Sequence, residues 1–202
     1  PILSEIEFAG RYTDARMICI TGSNGKTTTT SLIYHILKKA GVDVGLAGNI
    51  GHSLALQVAQ APHSTYVIEL SSFQLDNMYK FHANIAVLLN ITPDHLDRYG
   101  FKMQNYVDSK MRILQNQTSA DTFVYWKEDE HVPTELPRYN TPSLVCGFTD
   151  EEQANSSGYA TADTFVVNSP VHFEMPLSEL SLPGRHNLRN SLAAAIACLA
   201  AG

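Results

Sequence analysis

The sequence has few cysteines and no long apolar stretch. Its three cysteines, Cys19, Cys146 and Cys198, are odd in number and widely spaced, which argues against a disulfide framework and against a zinc site. We therefore expect a reducing, cytoplasmic compartment. No signal peptide and no run of about 18 apolar residues is present, so we expect a soluble protein without a membrane partner.

Basic residues are also scarce, because 14 Lys and Arg stand against 20 Asp and Glu, for a formal net charge of −6. A nucleic-acid-binding domain normally carries a basic patch, and the longest basic run here is Lys38-Lys39. This pair falls at the end of a predicted helix, where cations favourably meet the negative helix terminus. We expect no nucleic-acid partner.

The composition that is present is that of a folded domain. Hydrophobic residues make up 44% and charged residues 17%, which excludes a disordered chain. A length of 202 residues is enough for one large domain that buries its core without disulfides. Because the chain begins at Pro1 and stops at Gly202 directly after a helical pattern, we expect a piece of a longer protein. We expect it to be a monomer.

Apolar runs that alternate with helical patterns predict a mostly parallel sheet flanked by helices. Strands are predicted at 17–21, 42–47, 66–70 and 84–91. Helices are predicted at 26–40, 53–60, 106–116 and 187–201. The strand runs are continuously apolar, which is typical of a parallel sheet that is covered on both faces.

The second half is predicted to add a smaller mixed or antiparallel β extension. Its strand-like runs are short and broken by Pro, Asn and Gly, at 122–126, 144–148, 160–167 and 171–175. Residues 1–16 are weakly patterned, and 1–7 are predicted to form a lead-in linker. The expected fold class is therefore α/β, with a P-loop-type sheet.

The most specific segment is the stretch from Ile20 to Thr28, in which a strand enters a glycine-rich turn and Gly-Lys-Thr opens a helix. Backbone amides and the positive helix terminus would bind a phosphate there. Lys26 can reach the β- and γ-phosphates, and Thr27 can bind Mg²⁺. The general pattern has Gly where Ile20 stands. A structural turn with a capping Thr is the alternative, and the order of strand, turn and helix favours the phosphate loop.

Polar residues follow the predicted strands, where parallel sheets collect their ligands. Glu69 suits Mg²⁺ beside the phosphate loop; the alternative is a buried glutamate paired with Lys or backbone amides. His95 could bind a metal, orient a water or cap a turn, because histidine is not a natural Mg²⁺ ligand. From chemistry alone, Lys110 and Arg112 are best explained as solvated helix residues.

Several of these segments resemble the Mur ligase superfamily. Residues 21–28 are similar to its phosphate loop, Gly-[Thr/Ser]-Asn-Gly-Lys-[Thr/Ser], which also accounts for Ile20. Residues 69–75 (ELSSFQL), 94–99 (DHLDRY) and the opening 1–7 (PILSEIE) resemble the family member that adds D-glutamate. The resemblance runs in matching order over the whole chain.

The resemblance implies roles for individual residues. The ATP phosphates would be bound by Gly22, Ser23, Asn24, Gly25, Lys26, Thr27 and Thr28. Two Mg²⁺ ions would be held by Thr27, Glu69, His95 and Lys110, with Lys110 carbamylated by CO₂. The catalytic residues would be Lys26, His95 and Lys110. Asn49 and Ser71 would contact the UDP-sugar substrate. Asn187 and Asn190 would lie near the adenine, although Asn187 could also cap its helix.

The implied activity is ATP-driven amide formation through an acyl phosphate. D-glutamate would be added to UDP-N-acetylmuramoyl-L-alanine in peptidoglycan synthesis, and hence for cell shape and division. The family's uridine-binding N-terminal and amino-acid-binding C-terminal domains are expected outside residues 1–202, which would be inactive alone. The alternatives are another superfamily ligase, such as a folylpolyglutamate synthase, or a P-loop module that binds nucleotide without ligation.

Overall fold

Nine strands form one continuous sheet in the computed structural model, which describes residues 2–202. The strands are β1 Arg16–Thr21, β2 Val44–Gly48, β3 Thr65–Glu69, β4 Ile85–Leu88, β5 Thr122–Trp126, β6 Leu144–Glu151, β7 Gly158–Ala160, β8 Thr164–Val167 and β9 Phe173–Pro176. Their order in the sheet is β2-β3-β1-β4-β5-β6-β7-β8-β9. All neighbours from β2 to β7 are parallel, whereas β8 and β9 are antiparallel. The predicted α/β class is confirmed.

Helices cover both faces of the sheet. They are α1 Glu5–Gly10, α2 Lys26–Lys39, α3 Leu54–Gln60, α4 Ser72–Leu75, α5 Met103–Met111, α6 Val132–Glu135 and α7 Arg185–Ala201. Alternate residues of β1 enter two separate cores: Met17 packs with residues of α1 and α5, and Ile18 packs with residues of α2 and α7. This division explains why the strand runs are continuously apolar. No helix within residues 2–202 is long and apolar enough to cross a membrane.

The predicted β extension is confirmed, and it is mixed rather than wholly antiparallel. The runs at 122–126 and 144–148 continue the parallel sheet as β5 and β6. The run at 160–167 is divided by a turn between β7 and β8. Only β7 to β9 carry antiparallel pairing. Short apolar runs specify a strand, but they do not specify the direction of its neighbour.

The predicted lead-in linker is wrong from Glu5 onward, where a helix begins, and Pro1 lies outside the described residues. Helix α1 begins after Ser4, whose side chain accepts a hydrogen bond from the backbone N–H of Glu7 at 3.1 Å. The carboxylate of Glu7 is fully buried and accepts backbone N–H groups from residues 79–81. Two turns of helix give too few apolar positions for a periodic signal, so the sequence pattern missed this helix.

Strand β1 places the phosphate loop. It pairs in parallel with β3 on one side and with β4 on the other, so the carboxyl ends of three strands meet at one edge. The chain completes β2 and β3 on one side of β1 before it crosses to β4. Such a switch in strand order opens a crevice at the carboxyl edge, where ligands bind in open α/β sheets.

Candidate nucleotide-binding site

The loop after β1 ends in a free helix terminus. Gly25 is the N-terminal cap of α2, with φ 85°, and no side chain caps the helix. The first turn contains no acidic residue, so its positive end is not neutralised locally. A Cβ on Gly25 would collide with Oδ1 of Asn190. Both the positive φ and the close approach therefore require glycine, and the amides of the first turn are available to an anion.

The loop is tied to the segment that follows β4. Ser23 Oγ donates to the Thr92 carbonyl at 2.9 Å and accepts the Thr92 N–H at 2.9 Å. The backbone N–H of Asn24 donates to Asn90 Oδ1 at 2.8 Å. The hydroxyl of Tyr106 on α5 lies 3.1 Å from Ser23 Oγ. Sequence reasoning did not find these anchors, because no local motif relates the loop to residues 90–106.

Two lysines converge on one carbonyl of the loop. Lys26 Nζ donates to the Gly22 carbonyl at 2.9 Å and to the Ser23 carbonyl at 2.9 Å. Lys110 Nζ donates to the same Gly22 oxygen at 2.8 Å. Lys110 is only 2% exposed, so the interpretation as a solvated lysine is wrong. Burial, assisted by the charge of Lys26, lowers the pKa of Lys110 from 10.5 to about 7.

Arg112 is likewise not a solvated helix residue. Its guanidinium is part-buried and donates to the carbonyls of Leu75 and Met78. These contacts attach the end of α5 to the chain after α4, so we assign Arg112 a structural role.

Glu69 lies beside the loop as predicted from its place after β3. It is 1% exposed, and its carboxylate accepts the Thr27 hydroxyl at 2.8 Å and the Asn49 side-chain amide at 2.9 Å. The structural alternative required Lys or backbone amides, and these two partners are neither. A hydroxyl and a carboxylate are oxygen donors of the kind that Mg²⁺ prefers. Thr27, Asn49 and Glu69, to which the resemblance assigns roles, are therefore joined by hydrogen bonds.

The remaining predicted residues are less closely assembled. The His95 side chain is 57% exposed, and its nearest ionic partner is Asp94 at 3.5 Å. Within residues 2–202, no three His, Cys, Asp or Glu side chains are grouped so that they could hold a metal. A Mg²⁺ ion at Thr27 and Glu69 would need further oxygens from water or nucleotide phosphates. Ser71 caps α4, where its side chain accepts the Gln74 N–H at 3.3 Å.

A cleft of about 710 Å³ extends from the loop toward the start of α7. Asn24, Gly25 and Asn190 line it at the loop, and Trp126 and Arg189 line it farther along, beyond β4. This volume lies in the usual range for small-molecule sites.

The two asparagines of α7 have different positions. Asn190 lines the cleft, whereas Asn187 is half-buried and donates to the Pro183 carbonyl at 2.8 Å. The N-terminal cap of α7 is Gly184, so Asn187 stabilises the preceding turn rather than occupying the cap position.

The fold and the loop together define an α/β domain with a phosphate-binding type of loop at its switch point. The chain belongs to the Mur ligase family, because the family profile described as Mur ligase middle domain matches residues 20–198. It is 60% identical over 202 residues to a UDP-N-acetylmuramoylalanine–D-glutamate ligase of Bacteroides fragilis, covering 100% of this chain and 46% of that protein. The chain thus spans about half the length of the curated relatives that it matches. The family resemblance is confirmed.

Solved structures share the fold at low identity. A UDP-N-acetylmuramoyl-L-alanyl-D-glutamate–2,6-diaminopimelate ligase aligns with a TM-score of 0.76 and 24% identity, over 98% of this chain and 47% of that one. MurF ligase from Thermotoga maritima, solved in complex with ADP, aligns with a TM-score of 0.66 and 22% identity, over 94% and 47% of the two chains. At these identities the likeness establishes the architecture.

Proposed function

We propose that this chain is the ATP-binding part of an amide-forming ligase. In the complete protein, this ligase adds D-glutamate to UDP-N-acetylmuramoyl-L-alanine. The name of the Bacteroides fragilis relative supports this substrate assignment, and the ADP complex of a protein with the same fold supports the nucleotide. We propose that uridine-binding and amino-acid-binding domains lie in the rest of a monomeric, cytoplasmic protein, so that residues 1–202 alone form no amide.

The observation that carries the proposal is the position of Lys26 at the amino end of α2. Its ammonium contacts the Gly22 and Ser23 carbonyls of the loop, at a helix terminus that is already positive. Phosphoryl transfer needs positioning and the neutralisation of charge on the transferred group. A bound triphosphate would replace the loop carbonyls as the partner of Lys26. This exchange would bring its ammonium to the β- and γ-phosphates.

The reaction proceeds in two steps. An oxygen of the substrate carboxylate attacks the γ-phosphorus of ATP, which forms an acyl phosphate and releases ADP. The amine nitrogen of D-glutamate then attacks the acyl carbon to give a tetrahedral intermediate. Expulsion of phosphate and loss of a proton from nitrogen complete the amide. The residues of this chain hold the phosphates in line and offset their charge.

Thr27 and Glu69 are the residues that would hold the first Mg²⁺, and their oxygen atoms fit that ion. Asn49 would orient the Glu69 carboxylate, to which it donates. Bound Mg²⁺ supplies neutralisation of phosphate charge. His95 offers nitrogen rather than oxygen and fits a second ion less well. Asn49 and Ser71 are proposed to contact the UDP-sugar substrate.

Lys110 is proposed to act as a carbamate. With a pKa of about 7, much of its amine is neutral near neutral pH, and the neutral amine is the form that attacks CO₂. The nitrogen forms a bond to the carbon and loses a proton, and the product presents anionic oxygens. Such oxygens suit a Mg²⁺ site far better than an ammonium does.

A substrate panel on the complete protein tests the function. We expect release of ADP and phosphate, and formation of an amide, with UDP-N-acetylmuramoyl-L-alanine and D-glutamate. L-alanine, a diamino acid and folate should give no product. Product from one of these instead would reassign the chain to another ligase of the superfamily. Nucleotide binding without amide formation from any member of the panel would leave only a nucleotide-binding module.

A further inference from the structure

A closed ring of contacts stands at the end of the cleft opposite the phosphate loop. The indole N–H of Trp126 donates to Glu128 Oε2 at 3.0 Å, and the same oxygen accepts the backbone N–H of Asp150 at 3.3 Å. The Asp150 carboxylate accepts Arg189 Nε at 2.7 Å and Arg189 Nη2 at 2.6 Å. The Arg189 guanidinium lies over the Trp126 ring, 3.8 Å from its centroid. Each of these four residues therefore contacts two others.

The ring is held in place by contacts within the protein. Asp150 is 3% exposed and also accepts a hydrogen bond from Arg185. Burial alone would raise the pKa of the Asp150 carboxyl, but hydrogen bonds from Arg189 and Arg185 hold it below its usual value. A bidentate pair of this kind fixes the plane of the guanidinium as well as its position. Arg189 is thereby held flat against the indole.

The charges along the cleft define which end takes which part of a nucleotide. The loop end carries a helix amino terminus and the ammonium of Lys26. The opposite end carries the exposed carboxylates of Glu128 and Glu130, which repel a triphosphate. A nucleotide with its phosphates on α2 would place its base near Trp126 and Arg189.

We propose that Trp126 and Arg189 form a preassembled stacking surface for the purine base, and that Asp150 is the positioning residue that holds this surface flat. The proposal rests on the proposed binding of ATP and deepens it. Aromatic rings and guanidinium planes both stack favourably on bases, and a surface that is already ordered loses little conformational freedom on binding.

The chain contains a single tryptophan, so the fluorescence of Trp126 reports directly on this surface. Titration of the 202-residue chain with ATP should change the emission of Trp126. Inorganic triphosphate should bind, as measured by calorimetry, without changing it. UTP, whose smaller base stacks less, should bind more weakly than ATP. Unchanged emission at calorimetric saturation with ATP, or equal affinities for ATP and UTP, would overturn the proposal.

Variants separate positioning from folding. Asp150→Asn keeps the shape of the side chain but removes the charge that orients Arg189. It should lower the affinity for ATP roughly 10-fold and leave the affinity for inorganic triphosphate unchanged. Arg189→Lys keeps the cation but loses the flat face, and it should weaken ATP selectively in the same way. Asp163→Asn, an exposed carboxylate in the turn between β7 and β8, is the matched control and should bind both ligands as the wild type does.

Failure of the stacking surface can be distinguished from failure of nucleotide binding itself. If the wild-type chain binds neither ATP nor inorganic triphosphate, the nucleotide-binding function fails and the stacking surface fails with it. If it binds both, but Asp150→Asn and Arg189→Lys weaken them equally or not at all, only the stacking surface is refuted. Should Asp150→Asn lower the melting temperature below the working range, Arg189→Lys decides alone. In the complete ligase, Asp150→Asn should raise KM for ATP without lowering kcat.

Discussion

The two ends of the cleft are constructed in different ways. At the phosphate end, the binding groups come from the backbone and side chains of one short segment, in which Gly25, Lys26 and Thr27 are consecutive. At the opposite end, the surface is assembled from side chains of β5, β6 and α7, which are distant in sequence. A phosphate needs amides and positive charge from any suitable turn, whereas a base needs flat surfaces at a defined distance. The first requirement is local, and the second is met only by the tertiary fold.

The largest effect is expected from Lys26→Ala in the complete protein. Removal of this charge should lower kcat roughly a thousandfold, because the γ-phosphate loses its nearest cation during transfer. Steady-state kinetics measure the loss, and thermal unfolding should show that the domain stays folded. Lys39→Ala, an exposed lysine at the end of the same helix, is the control and should retain activity. Turnover of Lys26→Ala at the wild-type rate would remove the lysine from the mechanism.

Lys110→Ala is expected to lower activity on the order of 100-fold, because the proposed carbamate and its anionic oxygens could no longer form. Formate or acetate should restore part of the activity by filling the vacated position. Intact mass in bicarbonate buffer provides the independent check, since the carbamate adds the mass of CO₂. Absence of rescue at every acid concentration, together with an unmodified mass, would contradict the carbamate.

Gly25→Ala tests whether backbone geometry defines the phosphate end. The added methyl group would meet Asn190 Oδ1 at a residue with φ 85°, and such strain costs on the order of 1–3 kcal/mol. Calorimetry should show that the affinities for ATP and for inorganic triphosphate fall together. This outcome differs from that of the variants at the opposite end, which should weaken ATP alone. A selective loss of ATP in Gly25→Ala would abolish the distinction between the two ends.

The last prediction concerns stability rather than activity or binding, and its dependence on pH in CO₂-free buffer. The pKa of Lys110 is about 7 in the folded chain, against an ordinary value of 10.5. Between these values the unfolded chain binds a proton that the folded chain does not, so the stability of the folded chain should rise with pH. Below pH 7 Lys110 is protonated in both the folded and the unfolded chain. The free energy of unfolding is then lowered by the full cost of burying this charge. Lys110→Met removes this titration.

The difference in free energy of unfolding between the wild type and Lys110→Met isolates this contribution from other titrating groups. It should change in favour of the wild type by up to ~1.4 kcal/mol per pH unit between pH 7 and 10.5. Denaturant unfolding at several pH values measures it. A difference that is independent of pH would show that the buried amine keeps an ordinary pKa.

Sequence patterns predicted the parallel sheet and the phosphate loop because both depend on local order along the chain. Helix α1 was missed since its stability comes from the buried Glu7 and its contacts with residues 79–81. Lys110 could not be told from a surface lysine by chemistry alone, because its burial follows from the packing of α5 against β1 and α4. The family resemblance singled out the residue, although it did not supply the physical reason.

The ring at Trp126 illustrates the same limit. Its members lie at positions 126, 128, 150 and 189, and no periodicity links them. Adjacent strands β5 and β6 bring Trp126 and Asp150 together, and only the docking of α7 adds Arg189. Conversely, the position of Glu69 beside the loop could be predicted, because the end of a parallel strand has a fixed place relative to the neighbouring loop.

Hydrogen bonds connect the phosphate loop to the chain after β4, so we expect these two segments to move together. Ser23 and Asn24 are held by Thr92 and Asn90, and Asp94 and His95 follow within a few residues. A displacement of the chain after β4 would therefore displace the phosphate loop, even though this chain segment lies far from α2 in sequence.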